Sequence, residues 1–244
     1  VIVAGKLGYP ELAERVLQEG KADFIALGRY LLADPEWPNK VKEGRTEDII
    51  PCLGCHEGCI LRRRQSKNIS CAVNPATGHE RDFVVTPAER RKSVLVVGAG
   101  PGGMEAARVA ALRGHKVTLW EKGNALGGNL IPAAVPHFKD DYRLLINYLS
   151  TQVEKLGVTI ELGKEATPGL ILSMKPDVVF IATGATQIIP KIKGIERGVS
   201  AVDLLLDKGK AGQSVIVIGG GRIGCETALY LAQQDKKVTI VEIL

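Results

Sequence analysis

Cysteines give the sequence its clearest metal-binding pattern. Four of the five cysteines follow a C-x2-C-x3-C-x11-C spacing, at Cys52, Cys55, Cys59 and Cys71. Four thiolates can hold a 4Fe-4S cluster or a structural zinc ion. Zinc sites more often have two separated C-x2-C pairs, so the spacing favours an iron–sulfur cluster. Cys225 stands apart, and we interpret it as a small packed residue.

A second pattern is rich in glycine and occurs twice, 121 residues apart. Each copy reads G-x-G-x-x-G, at residues 98–103 and 219–224, directly after a predicted buried strand and before a predicted helix. Each copy reaches an acid 23 residues after its first glycine, Glu121 in one and Glu242 in the other. A single motif of this kind is weak evidence, but strand, helix, acid and repetition together predict two dinucleotide-binding folds.

The backbone explains the chemistry of these motifs. The first glycine permits a tight turn, the second lets the backbone approach a pyrophosphate, and the third lets the helix pack closely on the strand. The pyrophosphate then lies at the positive end of the helix dipole. We expect Glu121 and Glu242 to accept hydrogen bonds from ribose hydroxyl groups.

The residues after each motif assign the cofactors. The segments 122–130, with a glycine pair, and 177–184, ending in Ala-Thr-Gly, resemble the FAD domains of glutathione-reductase-like flavoenzymes. We therefore predict FAD in the first fold and NAD(H) or NADP(H) in the second. Glu242 favours NADH, because a carboxylate would repel the 2′-phosphate of NADPH. The predicted FAD-binding residues are Gly98, Gly100, Pro101, Gly102, Gly103, Glu121, Lys122, Gly128, Asn129, Leu130, Ala166, Ala182, Thr183 and Gly184. The predicted NAD-binding residues are Gly219, Gly221, Arg222, Ile223, Gly224 and Glu242.

Hydrophobic periodicity also predicts strands and helices in residues 1–44, before the cysteines and the first glycine motif. Residues 1–4 and 23–29 are predicted buried strands, and residues 10–20 and 30–44 are predicted helical. Two strand–helix units do not make a stable sheet alone, since parallel strands need neighbours on both sides. We therefore expect residues 1–45 to end a larger domain and both ends of the sequence to be cut.

The order of these motifs resembles a known family. The segments GRYLLADP at 28–35, PCLGCHEGC at 51–59 and SCAVNP at 70–75, followed by the FAD motif, are similar to the bacterial 2,4-dienoyl-CoA reductase and 2-enoate reductase group. In that group an old-yellow-enzyme-like TIM barrel binds FMN, and a 4Fe-4S cluster relays electrons to it from FAD. The resemblance implies that the FMN phosphate is held by Gly5, Lys6, Gly28 and Arg29.

The resemblance and the motifs together predict an α/β fold class. We expect the last two βα units of an FMN-binding TIM barrel at residues 1–45, and an iron–sulfur segment with its linker at residues 46–92. A Rossmann-like FAD domain would occupy residues 93–190. A truncated NAD(P) domain of the glutathione-reductase type would be inserted at residues 191–244.

The resemblance also implies an activity. An NAD(P)H-dependent enzyme of this group reduces the C=C bond of an enoate or a dienoyl-CoA. The proton donor of the family would lie upstream of Val1, so no catalytic residue is assigned, and His56 and His137 are interpreted as loop residues. Two alternatives stay open: an amine dehydrogenase of the trimethylamine type, and an electron-transfer subunit like the small chain of glutamate synthase.

Composition narrows the expected partners. A net charge of +5 and an aromatic fraction of 5% indicate neither a nucleic-acid track nor a stacking platform. No apolar stretch approaches the ~20 residues that span a bilayer, and the cysteine usage fits a reducing compartment. We expect a cytoplasmic protein without membrane contact that acts on a small unsaturated acid or acyl-CoA. Exposed barrel edges would favour association into a homo-oligomer.

Overall fold

The computed structural model describes residues 1–243, so Leu244, the last residue of the predicted nicotinamide domain, lies outside the described residues. The fold is α/β with parallel sheets. The strands are β1 (Ile2–Ala4), β2 (Phe24–Ala26), β3 (Ser93–Val97), β4 (Lys116–Trp120), β5 (Thr159–Glu161), β6 (Val178–Ile181), β7 (Ser214–Ile218) and β8 (Lys237–Val241). The helices are α1 (Pro10–Gln18), α2 (Arg29–Ala33), α3 (Trp37–Lys42), α4 (Arg62–Arg64), α5 (Pro101–Leu112), α6 (Leu130–Ala133), α7 (Asp140–Lys155), α8 (Pro168–Met174), α9 (Ala201–Leu205) and α10 (Arg222–Ala232).

The chain divides into two units, the first formed by Val1–Gly128 and Leu144–Thr183, the second by Asn129–Arg143 and the residues from Gly184 onward. The first unit contains the β1–β2 pair and a four-stranded sheet of order β5-β4-β3-β6. The second unit contains the β7–β8 pair. Within residues 1–243 no helix is both long and apolar enough to cross a membrane.

The four-stranded sheet contains the main core of the first unit. Val94, Leu95 and Val96 of its central strand β3 are at most 2% exposed, as expected for a parallel strand covered on both faces. Helix α5 lies against β3 and β4 and buries Met104 and Ala107 completely. This core fixes the direction in which the glycine loop leaves β3.

The predicted internal repeat is also a structural repeat. In the first copy β3 pairs with β4 from Ser93↔Lys116 to Val97↔Trp120. In the second copy β7 pairs with β8 from Ser214↔Lys237 to Ile218↔Val241, which is the same register 121 residues later. Helices α5 and α10 both begin at the residue after the second glycine of the motif.

The N-terminal segment has the predicted strands and helices, with two differences. Residues 30–44 form two helices because Pro35 follows Asp34, whose backbone is extended at φ −144° and ψ 96°. The prediction that β1 and β2 are buried strands was wrong for this chain. Ile2 is 70% and Phe24 is 65% exposed, because within residues 1–243 β1 and β2 pair only with each other.

Helix α2 anchors the segment that precedes the cysteines. The carboxylate of Asp34, at the end of α2, is 2% exposed and forms an ion pair of 2.7 Å with Nζ of Lys40. The same carboxylate accepts hydrogen bonds from the backbone N–H of Glu36 at 3.1 Å and of Ile50 at 2.9 Å. The chain is therefore fixed to α2 two residues before Cys52.

The segment that follows the cysteines is anchored to the same helix. The carbonyl oxygen of Leu32 accepts a hydrogen bond of 3.0 Å from Nδ2 of Asn74 and one of 2.7 Å from Oγ1 of Thr77. Thr77 is 5% exposed, so its hydroxyl bond is shielded from water. Both ends of the cysteine segment therefore meet at one short helix.

Loss of the Asp34 carboxylate is expected to destabilise the protein. Asp34→Ala leaves the ammonium of Lys40 without its partner at a site where the Lys40 side chain is only 15% exposed. The free energy of unfolding should fall by about 3–5 kcal/mol, measured by urea unfolding followed by tryptophan fluorescence. Glu19→Ala, which removes an exposed carboxylate paired with Lys21, is the control and should leave the midpoint unchanged. Equal midpoints for the two variants would contradict the anchoring role of Asp34.

Candidate functional site

The first glycine motif forms a tight turn between β3 and α5. Gly98 has a φ of +102°, and a Cβ built on it would lie 2.4 Å from the carbonyl oxygen of Ala182. A Cβ on Gly103 would lie 1.8 Å from the carbonyl oxygen of Gly98, whereas one on Gly100 would meet no atom within 4 Å. The first and third glycines are therefore required by packing, and the second leaves open space at the N-terminus of α5.

An acid completes this turn. Glu121 follows β4, and its carboxylate accepts hydrogen bonds of 2.7 Å from the backbone N–H of Ala99 and of Gly123. The side chain thereby reaches the residue directly after the first glycine. This position fits the predicted ribose contact, which stays a prediction.

Other predicted FAD residues of the first unit gather around the same turn. Gly128 has a φ of +51°, and a Cβ built on it would lie 2.9 Å from Cα of Gly100. Ala182 and Thr183 lie beside Gly98, while Ala166 packs against a cluster of Leu95, Val97 and Trp120. The exposed predicted residues of this unit are Pro101, Gly102, Lys122 and Thr183.

The remaining predicted FAD residues belong to the second unit. Asn129 donates a hydrogen bond of 3.3 Å from Nδ2 to the carbonyl oxygen of Ala185. Leu130 is the first residue of α6, and Gly184 has a φ of +78°. Asn129 thus lies near the turn that follows Thr183 within this unit.

The second glycine motif repeats the geometry of the first. Gly219 has a φ of +106°, and a Cβ on Gly224 would lie 1.9 Å from the carbonyl oxygen of Gly219. A Cβ on Gly221 would meet no atom within 4 Å. The carboxylate of Glu242 accepts hydrogen bonds from the backbone N–H of Gly220 and, at 2.7 Å, of Ile243. Arg222 and Ile223 form the exposed first turn of α10.

The interpretation of Cys225 as a packed residue was wrong. Its side chain is exposed, and its thiol donates a hydrogen bond of 3.1 Å to the carbonyl oxygen of Gly220. Helix α10 buries a different face, which contains Thr227, Ala228 and Leu231. No pattern in the glycine-rich sequence around Cys225 indicates which face of α10 is buried.

The four predicted metal ligands line one pocket. All four are free, half-buried thiols, and the pocket is lined by Cys52, Cys55, Cys59 and Cys71 together with Arg29 and His56. Two glycines shape the loop: Gly54 has a φ of +63°, and a Cβ on Gly58 would lie 2.4 Å from the carbonyl oxygen of Ser70. The backbone N–H of Ser70 donates to the carbonyl oxygen of Gly58 at 2.7 Å, which brings the third cysteine towards the fourth.

The chemistry of this donor set fits an iron–sulfur cluster. Four thiols are the usual ligands of a 4Fe-4S centre. Within the described residues, no three His, Cys, Asp or Glu side chains lie close enough together to hold a metal ion. Burial raises the pKa of Cys52, and the nearby charge of Arg29 opposes this effect.

The predicted FMN residues lie at the carboxyl ends of β1 and β2. These strands are parallel and pair Ala4 with Ala26, so the turns that follow them are adjacent. Gly5 and Lys6 have φ values of +129° and +47° in the first turn, and Gly28 precedes α2 in the second. Arg29 is the first residue of α2, and its guanidinium contacts Nε2 of His56 at the cysteine pocket. No sequence pattern indicates this contact, and the FMN contacts stay predictions.

The fold and the two glycine motifs are typical of the class of dinucleotide-binding oxidoreductases. Residues 92–244 match the family described as pyridine nucleotide-disulphide oxidoreductase, and residues 1–48 match the NADH:flavin oxidoreductase / NADH oxidase family. The chain belongs to the pyridine nucleotide-disulphide oxidoreductase family. The two matches indicate binding of FAD, NAD and FMN. Together with the relatives described next, they confirm the resemblance to the 2-enoate and dienoyl-CoA reductase group.

Individual relatives are similar over the whole chain. A cinnamate reductase from Clostridium sporogenes is 49% identical over 243 residues, which are 100% of this chain and 36% of the relative. The structure of a 2-naphthoyl-CoA reductase in complex with 2-naphthoyl-CoA is 41% identical with a TM-score of 0.94, covering 98% of this chain and 37% of that one. The structure of a histamine dehydrogenase from Rhizobium sp. 4-9 is 28% identical with a TM-score of 0.86, covering 99% and 38%. The chain thus spans just over a third of the length of these proteins.

Substitutions of two glycines in the first motif are expected to have different effects, one on stability and the other on FAD binding. Gly103→Ala should lower the free energy of unfolding by about 1–3 kcal/mol, because its Cβ would overlap the carbonyl oxygen of Gly98. Gly100→Ala should leave the stability of the FAD-free protein unchanged but reduce the bound FAD, because its Cβ would enter the space predicted for the pyrophosphate. Stability is measured by urea unfolding and FAD by absorbance after gel filtration. Full FAD content in Gly100→Ala would contradict the assignment.

Proposed function

We propose that the protein is an NADH-dependent oxidoreductase in which FAD, a 4Fe-4S cluster and FMN carry electrons to the conjugated C=C bond of an enoate or an acyl-CoA ester. The observation that carries this proposal is the cysteine pocket. It is lined both by the four cysteines and by Arg29 and Leu32 of the segment that matches the NADH:flavin oxidoreductase family. A thiol site in direct contact with a predicted FMN segment suits electron transfer, which zinc would not provide.

The substrate class is proposed from the relatives. The cinnamate reductase and the 2-naphthoyl-CoA reductase are named for an unsaturated acid and an aromatic acyl-CoA. We expect this protein to act on a substrate of the same chemistry, with the double bond conjugated to a carbonyl group.

The residues of the first unit would bind FAD through backbone groups. The space beside Gly100 gives a pyrophosphate access to the N–H groups of the first turn of α5, where the helix dipole favours an anion. The glycine loop at Gly128 closes on the same turn. The carboxylate of Glu121 would then accept hydrogen bonds from the ribose hydroxyl groups in place of part of those from the backbone N–H groups of Ala99 and Gly123.

The residues of the second unit would bind NADH in the same way. Gly221 leaves the corresponding space at the N-terminus of α10, and Glu242 would contact the ribose as predicted for Glu121. A carboxylate at this position accepts from a 2′-hydroxyl group and repels a 2′-phosphate. NADH is therefore the proposed electron donor.

Of the two alternatives, one has an observation in its favour. The similarity to a histamine dehydrogenase supports an amine dehydrogenase that passes electrons to a carrier protein. The identity to that protein is 28%, against 49% to the cinnamate reductase, and both glycine motifs of this chain have the geometry that a bound dinucleotide needs. A glutamate-synthase-like subunit is disfavoured, since residues 1–48 match a flavin oxidoreductase family and form strand–helix units.

The electron donor is tested by anaerobic reduction of the purified protein. Addition of NADH should bleach the absorbance of the bound FAD, and Glu242→Gln should raise the KM for NADH about tenfold, because replacing a charged acceptor by a neutral amide oxygen weakens the ribose hydrogen bond by ~1.4 kcal/mol. Glu196→Gln, at an acid outside the glycine motif, is the matched control. Absence of bleaching by NADH would sink the reductase proposal and favour the amine dehydrogenase.

The cluster is tested by iron and acid-labile sulfide content. Cys71→Ser should lose most of the iron, because one of four ligands is replaced by a poor one. Cys225→Ser removes a thiol outside the pocket and should retain the full iron content. Zinc without iron in the wild-type protein would refute the electron-transfer route.

A further inference from the structure

Arg29 lies at the cysteine pocket, although the family resemblance assigned it to the FMN phosphate. Its side chain is half-buried, lines the pocket and contacts Nε2 of His56. A Cβ built on Gly54, which stands between the first two cysteines, would lie 3.9 Å from Nη1 of Arg29. The guanidinium is therefore within van der Waals reach of the loop that carries Cys52 and Cys55.

The positive charge of Arg29 differs from the other side chains that line the pocket. Among the described residues that line it, Arg29 is the one side chain with a permanent charge, while the others are cysteines, apolar residues, Gly58, Ser70 and His56. A site of four thiolates accumulates negative charge, and a half-buried cation acts on it with less screening than an exposed one. Arg29 is thus the principal fixed positive charge at this site.

The backbone around Arg29 holds it in this position. Arg29 begins α2, and three residues later the carbonyl oxygen of Leu32 is bonded to Asn74 and Thr77, just after the fourth cysteine. The end of the same helix is bonded through Asp34 to Ile50, just before the first cysteine. The backbone of Arg29 is therefore anchored beside the cysteine segment on both sides.

We propose that Arg29 is a positioning residue for electron transfer, whose guanidinium stabilises the reduced form of the cluster and so raises its reduction potential. The proposal rests on the proposed function, since it requires an iron–sulfur cluster on the four cysteines. One-electron reduction adds one negative charge to the cluster, and a nearby cation lowers the free energy of the more negative state. The role differs from phosphate binding because it acts on a different cofactor.

The experiment is a redox titration of the purified protein followed by the electron paramagnetic resonance signal of the reduced cluster. Arg29→Gln should lower the equilibrium constant for reduction about tenfold, which is 59 mV for a one-electron couple. Arg29→Lys keeps the charge and should retain most of the wild-type potential. Arg64→Gln removes a similar charge from the exposed helix α4, five residues after Cys59, and should leave the potential unchanged.

Iron and acid-labile sulfide are measured in the same samples. A wild-type protein without iron overturns the proposed function and this inference together. A full cluster whose potential does not change in Arg29→Gln overturns the inference alone. An equal shift in Arg64→Gln also overturns it, since any cation near the cysteines would then have the same effect.

A second pair of variants decides the question if Arg29→Gln fails to hold the cluster. Gly54 has a φ of +63°, which Asn and Asp tolerate better than other residues. Gly54→Asp would place a carboxylate beside the guanidinium and neutralise it, whereas Gly54→Asn has nearly the same shape without the charge. The reduction potential should be lower in Gly54→Asp than in Gly54→Asn, and equal potentials would overturn the inference.

Discussion

The contact between Gly103 and the carbonyl oxygen of Gly98 is the constraint on which the first nucleotide fold depends. No side chain fits between these two backbones, because a Cβ on Gly103 would lie 1.8 Å from that oxygen. The first turn of α5 is therefore held against the carboxyl end of β3, where its N–H groups are unpaired. The second fold has the same contact between Gly224 and Gly219, at 1.9 Å. An identical backbone constraint thus creates both candidate anion sites.

A different kind of support holds the cysteine segment. Between residues 52 and 92, Thr77 is the one buried residue among those described, so this segment has no apolar core of its own. Its position depends on hydrogen bonds to α2, from Ile50 to Asp34 before the cysteines and from Asn74 and Thr77 to Leu32 after them. These bonds connect the segment to the helix that follows the predicted FMN turn, so the proposed cluster site and the predicted FMN site share one helix.

Much of this arrangement could be predicted from the sequence because it depends on local patterns. The glycine spacing determined both turns, and the offset of 121 residues anticipated the equal registers of the two strand pairs. The contact of Arg29 with His56 could not be predicted, since it joins residues 27 positions apart through a loop without a core. The exposure of Cys225 was missed for a related reason: which face of α10 is covered depends on tertiary packing. The exposure of β1 and β2 was missed because the apolar pattern predicts a buried strand, whereas burial also requires neighbouring strands, and within residues 1–243 these two pair only with each other.

The absence of an apolar core in the described cysteine segment, residues 52–92, affects its stability. A loop fixed mainly by a few hydrogen bonds gains little from apolar burial, so coordination of its thiols by the proposed cluster would contribute a large share of its folding free energy. The raised pKa of Cys52 shows the opposing cost, because burial disfavours the thiolate that a metal centre requires. The positive charge of Arg29 offsets part of that cost before any cofactor binds. The same cation would therefore favour assembly of the proposed cluster, and in the proposed role it would also stabilise the charge that an added electron brings.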